Sequence, residues 1–175
     1  MTDSKIKIGI SLRVTNAEQY SEKRDALSHD WTLFFERINV FPVLIPNTIS
    51  NVREFLEKMQ LDGFLLSGGD NIGDNPDRDK TEQEIIRFGL EQNLPIFGVC
   101  RGMQVINKYF HGETETLTNS KHVGNPHSVK IINSNFSSLL KTSSVEVNSY
   151  HNNIIKQGIL GDDLEPFAIS FEDET

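Results

Sequence analysis

Cys100 is the one cysteine among 175 residues, and it stands in Gly98-Val99-Cys100-Arg101-Gly102. A cysteine thiolate is a nucleophile toward acyl carbon. The neighbouring residues bear on whether this one is presented for that purpose. Pro95-Ile96-Phe97-Gly98-Val99 is an apolar strand-like run, and Met103, Val105, Ile106 and Tyr109 follow at helical spacing. Gly-x-Cys-x-Gly at a strand-to-helix junction is the pattern of a nucleophile elbow, a tight turn that holds a reactive side chain over the carboxyl edge of a sheet. Small flanking residues suit the close approach and unusual backbone angle of such a turn. At a helix start, backbone N–H groups also favour thiolate over thiol. The alternative is a small buried apolar residue, the commoner fate of a lone cysteine.

Amide cleavage at Cys100 would need donors for an oxyanion, a base, and groups that grip the substrate. The N–H of Arg101, first in the elbow helix, is one candidate donor. Gly69 is the other, because Ser67-Gly68-Gly69 ends the preceding strand and belongs beside the elbow at the carboxyl edge of a parallel sheet. An ordinary Gly-rich turn would read the same way. Gln104 falls one helical turn after Cys100 on the same face, where its amide could hold a substrate carboxylate or amine; it reads otherwise as a solvated helix residue or a packing hydrogen bond. Of the five histidines, His29 and His111 read as helix-start and helix-end residues. His122 and His127 lie in a polar loop without a matching ligand cluster, so no metal is expected. His151, in Asn148-Ser149-Tyr150-His151, is best placed for a site edge. It reads equally well as a hydrogen-bonded loop residue, and no carboxylate follows it closely.

The elements that must position these groups alternate between strand and helix, the mark of an α/β fold with a mainly parallel central sheet flanked by helices. Strands are expected at Ile6–Ser11, Phe41–Ile45, Gly63–Leu66 and Pro95–Val99. A polar loop should span Arg13–Ser28, followed by a helix carrying Trp31, Phe34, Phe35 and Ile38. A second helix should cover Ile49–Gln60, with Val52, Phe55, Leu56 and Met59 on one face. Asp70–Asp79 reads as a polar loop and Lys80–Gln92 as a helix, Thr81 and Glu84 being spaced like a capping box. Beyond Gly112, short runs at Glu113–Leu117, Ser128–Ile132, Ser144–Val147 and Ala168–Phe171 predict a small antiparallel region in the C-terminal third. No repeat or linker divides the chain, so one domain covering 1–175 is expected. Its end resembles a hairpin tip from which a further strand would return.

Composition narrows the function. The formal charge of −8 argues against nucleic acid as a partner. No apolar run approaches a membrane span, and no signal segment precedes the first strand. A single cysteine suits a reducing cytoplasm.

The ordered set Leu66-Ser67-Gly68-Gly69-Asp70, the acidic Asp74–Asp79 loop, Gly98-Val99-Cys100-Arg101-Gly102-Met103-Gln104 and Val147-Asn148-Ser149-Tyr150-His151 resembles class I glutamine amidotransferase-like hydrolases of the γ-glutamyl hydrolase (peptidase C26) branch. The likeness covers essentially the whole chain and is nearest the subgroup that includes γ-glutamyl-γ-aminobutyrate hydrolase. It implies a flavodoxin-like amidotransferase fold and no cofactor. It also implies a small-molecule γ-glutamyl substrate, attacked by Cys100 to give a γ-glutamyl thioester that water cleaves to glutamate. Under the same resemblance Gly69 and Arg101 supply the oxyanion hole, while Gln104, Asn148, Ser149, Tyr150 and His151 line the site. A γ-glutamyl conjugate of a nucleotide phosphoramidate, as in capsule decoration, is one substrate class it admits. The family also carries a late His-Pro-Glu motif that is absent here. The expectation is therefore a C-terminally shortened form, slowed by several orders of magnitude without that histidine. Other readings are a glutaminase subunit feeding a synthetase, a noncatalytic binding domain, and a flavodoxin-like nucleotide binder. The last is weakened by the absence of a Gly-rich cradle in Leu12–Ser28.

Overall fold

The computed structural model describes residues 5–117, 124–171 and 175. Two compact units emerge, Met1–Ile106 and Asn107–Thr175.

The first unit is built on a four-stranded parallel sheet. Strand β1 (Lys7–Ser11) is followed by a hairpin of β2 (Arg13–Asn16) and β3 (Lys23–Ala26), helix α1 (His29–Arg37) and β4 (Phe41–Ile45). Helix α2 (Val52–Met59), β5 (Gly63–Leu66), α3 (Pro76–Glu91), β6 (Ile96–Gly98) and the start of α4 (Arg101–Tyr109) complete it. The strand order is β4-β1-β5-β6. Ile10 pairs with Leu44 on one side and Leu65 on the other, and Leu66 pairs with Gly98. All four residues of β5 are buried, as a parallel strand covered on both faces requires. On one face Ile10 and Leu65 pack with Phe35 of α1, with Trp31 and Val40 at the margin. Phe88 of α3 meets Phe64 edge to face at 6.1 Å. The chain runs from β1 outward to β4, then returns to the other side of β1 to lay down β5. The sheet direction thus reverses at the β1–β5 boundary, where open α/β sheets form their binding crevice.

Two expectations in this unit need correction. Arg13–Ser28 is not a loop throughout, since β2 and β3 pair antiparallel from Arg13↔Ala26 to Asn16↔Lys23. Its strands, Arg13-Val14-Thr15-Asn16 and Lys23-Arg24-Asp25-Ala26, carry no apolar alternation that would betray them. Part of what holds it is polar: Asp25 accepts from the Asn47 backbone N–H (2.8 Å) and side-chain amide (2.7 Å). Helix α3 begins at Pro76 rather than Lys80, with Pro in its first turn and Asp77 and Asp79 facing the positive helix end. Thr81 is therefore no cap; it lies inside the helix, buried, and its hydroxyl donates to Asn47 O at 3.1 Å.

In the second unit, β7 (Glu115–Thr116) pairs antiparallel with β10 (Asn153–Ile154). Strand β8 (His127–Ile131) lies between β9 (Ser144–Val147) and β11 (Ala168–Ser170), again antiparallel. The expected short antiparallel region is thus present. Helix α5 (Ser134–Leu140) is an addition, capped by Asn133, whose side chain accepts from Asn135 and Phe136 N–H groups. Phe136 stacks on Phe167 at 4.6 Å. Asn107 ties the connections together: its amide donates to Glu113 O (2.8 Å) and its oxygen accepts from Gly161 N (2.7 Å). Among the described residues no helix is long and apolar enough to cross a membrane.

Candidate active site

At the end of β6 the chain turns sharply. Val99 N donates to Leu66 O (3.0 Å), Gly102 N donates to Val99 O (2.9 Å), and Cys100 O accepts from Met103 and Gln104 to start α4. Cys100 itself has φ +52° and is exposed. A left-handed backbone angle at a residue with a Cβ is strained, and such strain concentrates where a side chain must be presented. The flanking glycines have a packing cause. A Cβ on Gly98 would lie 2.6 Å from the carbonyl carbon of Gly102, and one on Gly102 would lie 2.1 Å from Leu66 O. The helix therefore leaves the sheet at backbone contact distance, which only glycine permits.

Ser67-Gly68-Gly69 meets the elbow as the spacing predicts. An ideal Cβ on Gly68 would sit 3.4 Å from Cys100 Cβ and 3.9 Å from its Sγ, so bare backbone faces the thiol. Gly69 has φ +116°, a region that L side chains rarely adopt. The Arg101 N–H is in the first turn of α4 and has no acceptor within the helix. Gln104, one turn along, is only 5% exposed, which excludes a solvated helix face.

Beneath these backbones lies a charged network that residue-type reasoning missed. Arg78, Glu82 and Arg101 have almost no exposed surface. Arg101 donates to Asp79 and to Glu82 Oε2, while its Nε is buried without a partner among the described residues. Glu82 Oε1 accepts from Arg78 Nε (3.1 Å) and Ser11 Oγ (2.8 Å). Arg78 Nη2 donates to the carbonyls of Ser67 (2.9 Å) and Gly68 (3.0 Å), and Nη1 reaches Asp70 at 3.2 Å. Arg78 is thus committed to backbone carbonyls and carboxylates. A signal did exist: Arg78, Glu82, Ile85 and Gly89 follow one another by four, three and four residues and share the buried face of α3. Burial pushes the Asp70 carboxyl up, but the Val14 N–H, the Arg78 charge and its own backbone N–H outweigh this and hold it below the ordinary 3.8.

The remaining expected residues belong to the second unit. Asn148 and Tyr150 are exposed, the latter by 74%. Ser149 is buried; its carbonyl accepts from Gly124 N at 2.8 Å and its Oγ has no partner among the described residues. His151 Nδ1 lies 3.0 Å from Asn153 O, and a carbonyl only accepts, so Nδ1 carries the hydrogen. His29 opens α1, and His111, just past α4, meets Asp162 at 3.0 Å. His122 lies outside the described residues. Among those described, no three His, Cys, Asp or Glu side chains could hold a metal.

The family model for Peptidase C26 matches residues 7–175. A gamma-glutamyl-CDP-amidate hydrolase of Campylobacter jejuni is 32% identical over 170 residues, 93% of this chain and 78% of that one. A putative GMP synthase subunit from Thermoplasma acidophilum superposes with TM-score 0.68 at 26% identity, covering 95% of this chain and 74% of its own. A glutamine amidotransferase of Thermotoga maritima gives TM-score 0.70 at 14% identity, over 97% and 69%.

Proposed function

Because the chain belongs to the Peptidase C26 family, we propose that it hydrolyses a γ-glutamyl amide with Cys100 as nucleophile. The observation that carries this is the exposed Cys100 at φ +52°, with the bare backbone of Gly68 against its side chain. In the proposed reaction Sγ bonds to the γ-carbonyl carbon and the thiol proton passes to the departing nitrogen as the C–N bond breaks. Water then splits the thioester to glutamate and free thiol. The Gly69 and Arg101 N–H groups receive the oxyanion in both halves, worth about 10²–10³ in rate per donor in comparable sites. Gln104, one turn along α4 from Cys100, holds a polar group of the glutamyl moiety. The likeness to the Campylobacter relative makes γ-glutamyl-CDP-amidate our proposed substrate, with CDP-amidate and glutamate as products.

Since these 175 residues contain no His-Pro-Glu, the test reads the half-reaction at sulfur. A glutamine-analogue chloroketone, whose carbonyl must occupy the oxyanion site, should form a C–S bond to Cys100 with loss of chloride, seen as one mass increment. Labelling should outpace iodoacetamide, vanish in Cys100→Ser, and be slowed by γ-glutamyl-CDP-amidate. Equal rates for both reagents, without protection, would reject the reading. The likeness to the Thermoplasma protein favours, as second reading, a glutaminase that feeds a synthetase, for which free glutamine would protect better than the nucleotide conjugate.

A further inference from the structure

Two glycines in succession leave the Gly68–Gly69 peptide plane free to point either way, because neither residue has a Cβ to oppose a flip. One plane carries both the Gly68 carbonyl and the Gly69 N–H, held trans to each other. Whatever grips the carbonyl therefore aims the N–H. Arg78 Nη2 grips it at 3.0 Å, and the Ser67 carbonyl beside it at 2.9 Å. The guanidinium is itself held, by Glu82 Oε1 on Nε (3.1 Å) and Asp70 on Nη1 (3.2 Å). Glu82 also accepts from Ser11 Oγ (2.8 Å), whose oxygen receives the Ser67 N–H (3.0 Å). Through Oε2 the same carboxylate bonds Arg101, the residue supplying the other proposed donor.

We propose that Arg78, clamped by Glu82, is a positioning residue that locks the Gly68–Gly69 peptide so that the Gly69 N–H faces the oxyanion. A charged donor on the carbonyl also polarises the amide and strengthens its N–H. The arrangement favours a preformed oxyanion site: flipping the peptide would take the Gly68 carbonyl from Nη2 of a buried cation and leave it only the Ser67 carbonyl and hydroxyl oxygens, at 2.9 and 3.2 Å. This rests on the hydrolase reading for its consequence, though the peptide orientation itself does not.

The test uses Arg78→Lys, which keeps the charge and loses the fork, in the full chain. Chloroketone labelling of Cys100 should slow at least about tenfold, since a whole donor is worth about 10²–10³. Iodoacetamide, which needs no oxyanion donor, should label within about twofold of wild type on that same argument. In ¹⁵N–¹H spectra the Gly69 amide should shift. Chloroketone and iodoacetamide rates that stay in wild-type ratio, or an unmoved Gly69 resonance, would overturn the assignment. If wild type shows no chloroketone preference, the hydrolase reading fails while the Gly69 resonance still decides the peptide orientation. Glu82→Gln, which keeps the shape but frees Arg78 Nε, serves the same comparison if Arg78→Lys does not fold.

Discussion

Replacing Cys100 by glycine should make a more stable protein than replacing it by alanine. Both changes delete the sulfur, so their difference isolates the backbone. At φ +52° an L residue stands in the left-handed region, at a cost of about 1–2 kcal/mol. Glycine escapes that strain but has more freedom to lose on folding, which takes back about 0.5–1 kcal/mol. The remainder, about 0.5–1 kcal/mol, favours Cys100→Gly. For a chain of 175 residues that corresponds to about 1–4 °C in Tm. Lost contacts enter little, because Cys100 is exposed. Two reference sites bracket the comparison. Gln60 ends α2 at φ +50° and should show the same preference for glycine over alanine. Lys80, exposed within α3, should show the reverse by about 1 kcal/mol, as a helix interior does. Urea midpoints of the six variants suffice. A Cys100→Gly protein less stable than Cys100→Ala, in the manner of Lys80, would refute the idea that strain is stored at the elbow.

Three other outcomes follow from the same geometry. Gly102→Ala places a Cβ 2.1 Å from Leu66 O, against backbone that cannot rotate aside. It should cost at least about 1–3 kcal/mol and lower chloroketone labelling, whereas Gly158→Ala, with nothing within 4 Å, should shift the urea midpoint negligibly. Glu82→Leu leaves the buried Arg78 and Arg101 without their shared carboxylate, a loss of about 3–5 kcal/mol readable as a fall in Tm of about 6–20 °C. Asp70 is held below 3.8 when folded, so its stabilisation is complete above the unfolded value near pH 4 and disappears as pH falls through the lower folded value. Urea midpoints taken from about pH 5 down to pH 2.5 should decline more steeply in wild type than in Asp70→Asn; parallel slopes would contradict the assignment.

The parallel strands were legible because each is an apolar run bounded by turn residues, and β4 and β5 fall where that pattern puts them. Apolar periodicity starts helix α3 late, because Asn75-Pro76-Asp77 has the composition of a loop, although proline in a first helical turn is a start signal. The β2–β3 hairpin carries no hydrophobic alternation, and Asp25 gripping Asn47, 22 residues away, is invisible along the chain. Helix α5 is only seven residues long, too short for periodicity to announce.

What the amino-acid order determined unaided is the elbow: glycines two residues either side of a lone cysteine, between a strand and a helix, are a local requirement written locally. What tertiary structure alone decided is how that elbow is held. Glu82 serves Ser11, Arg78 and Arg101, from segments separated by 71, 4 and 19 residues. Nothing in residue types says that these charges will be taken out of water together. Burial made the choice: charges enclosed by a sheet and two helices must find one another, and in doing so they orient the backbone above them.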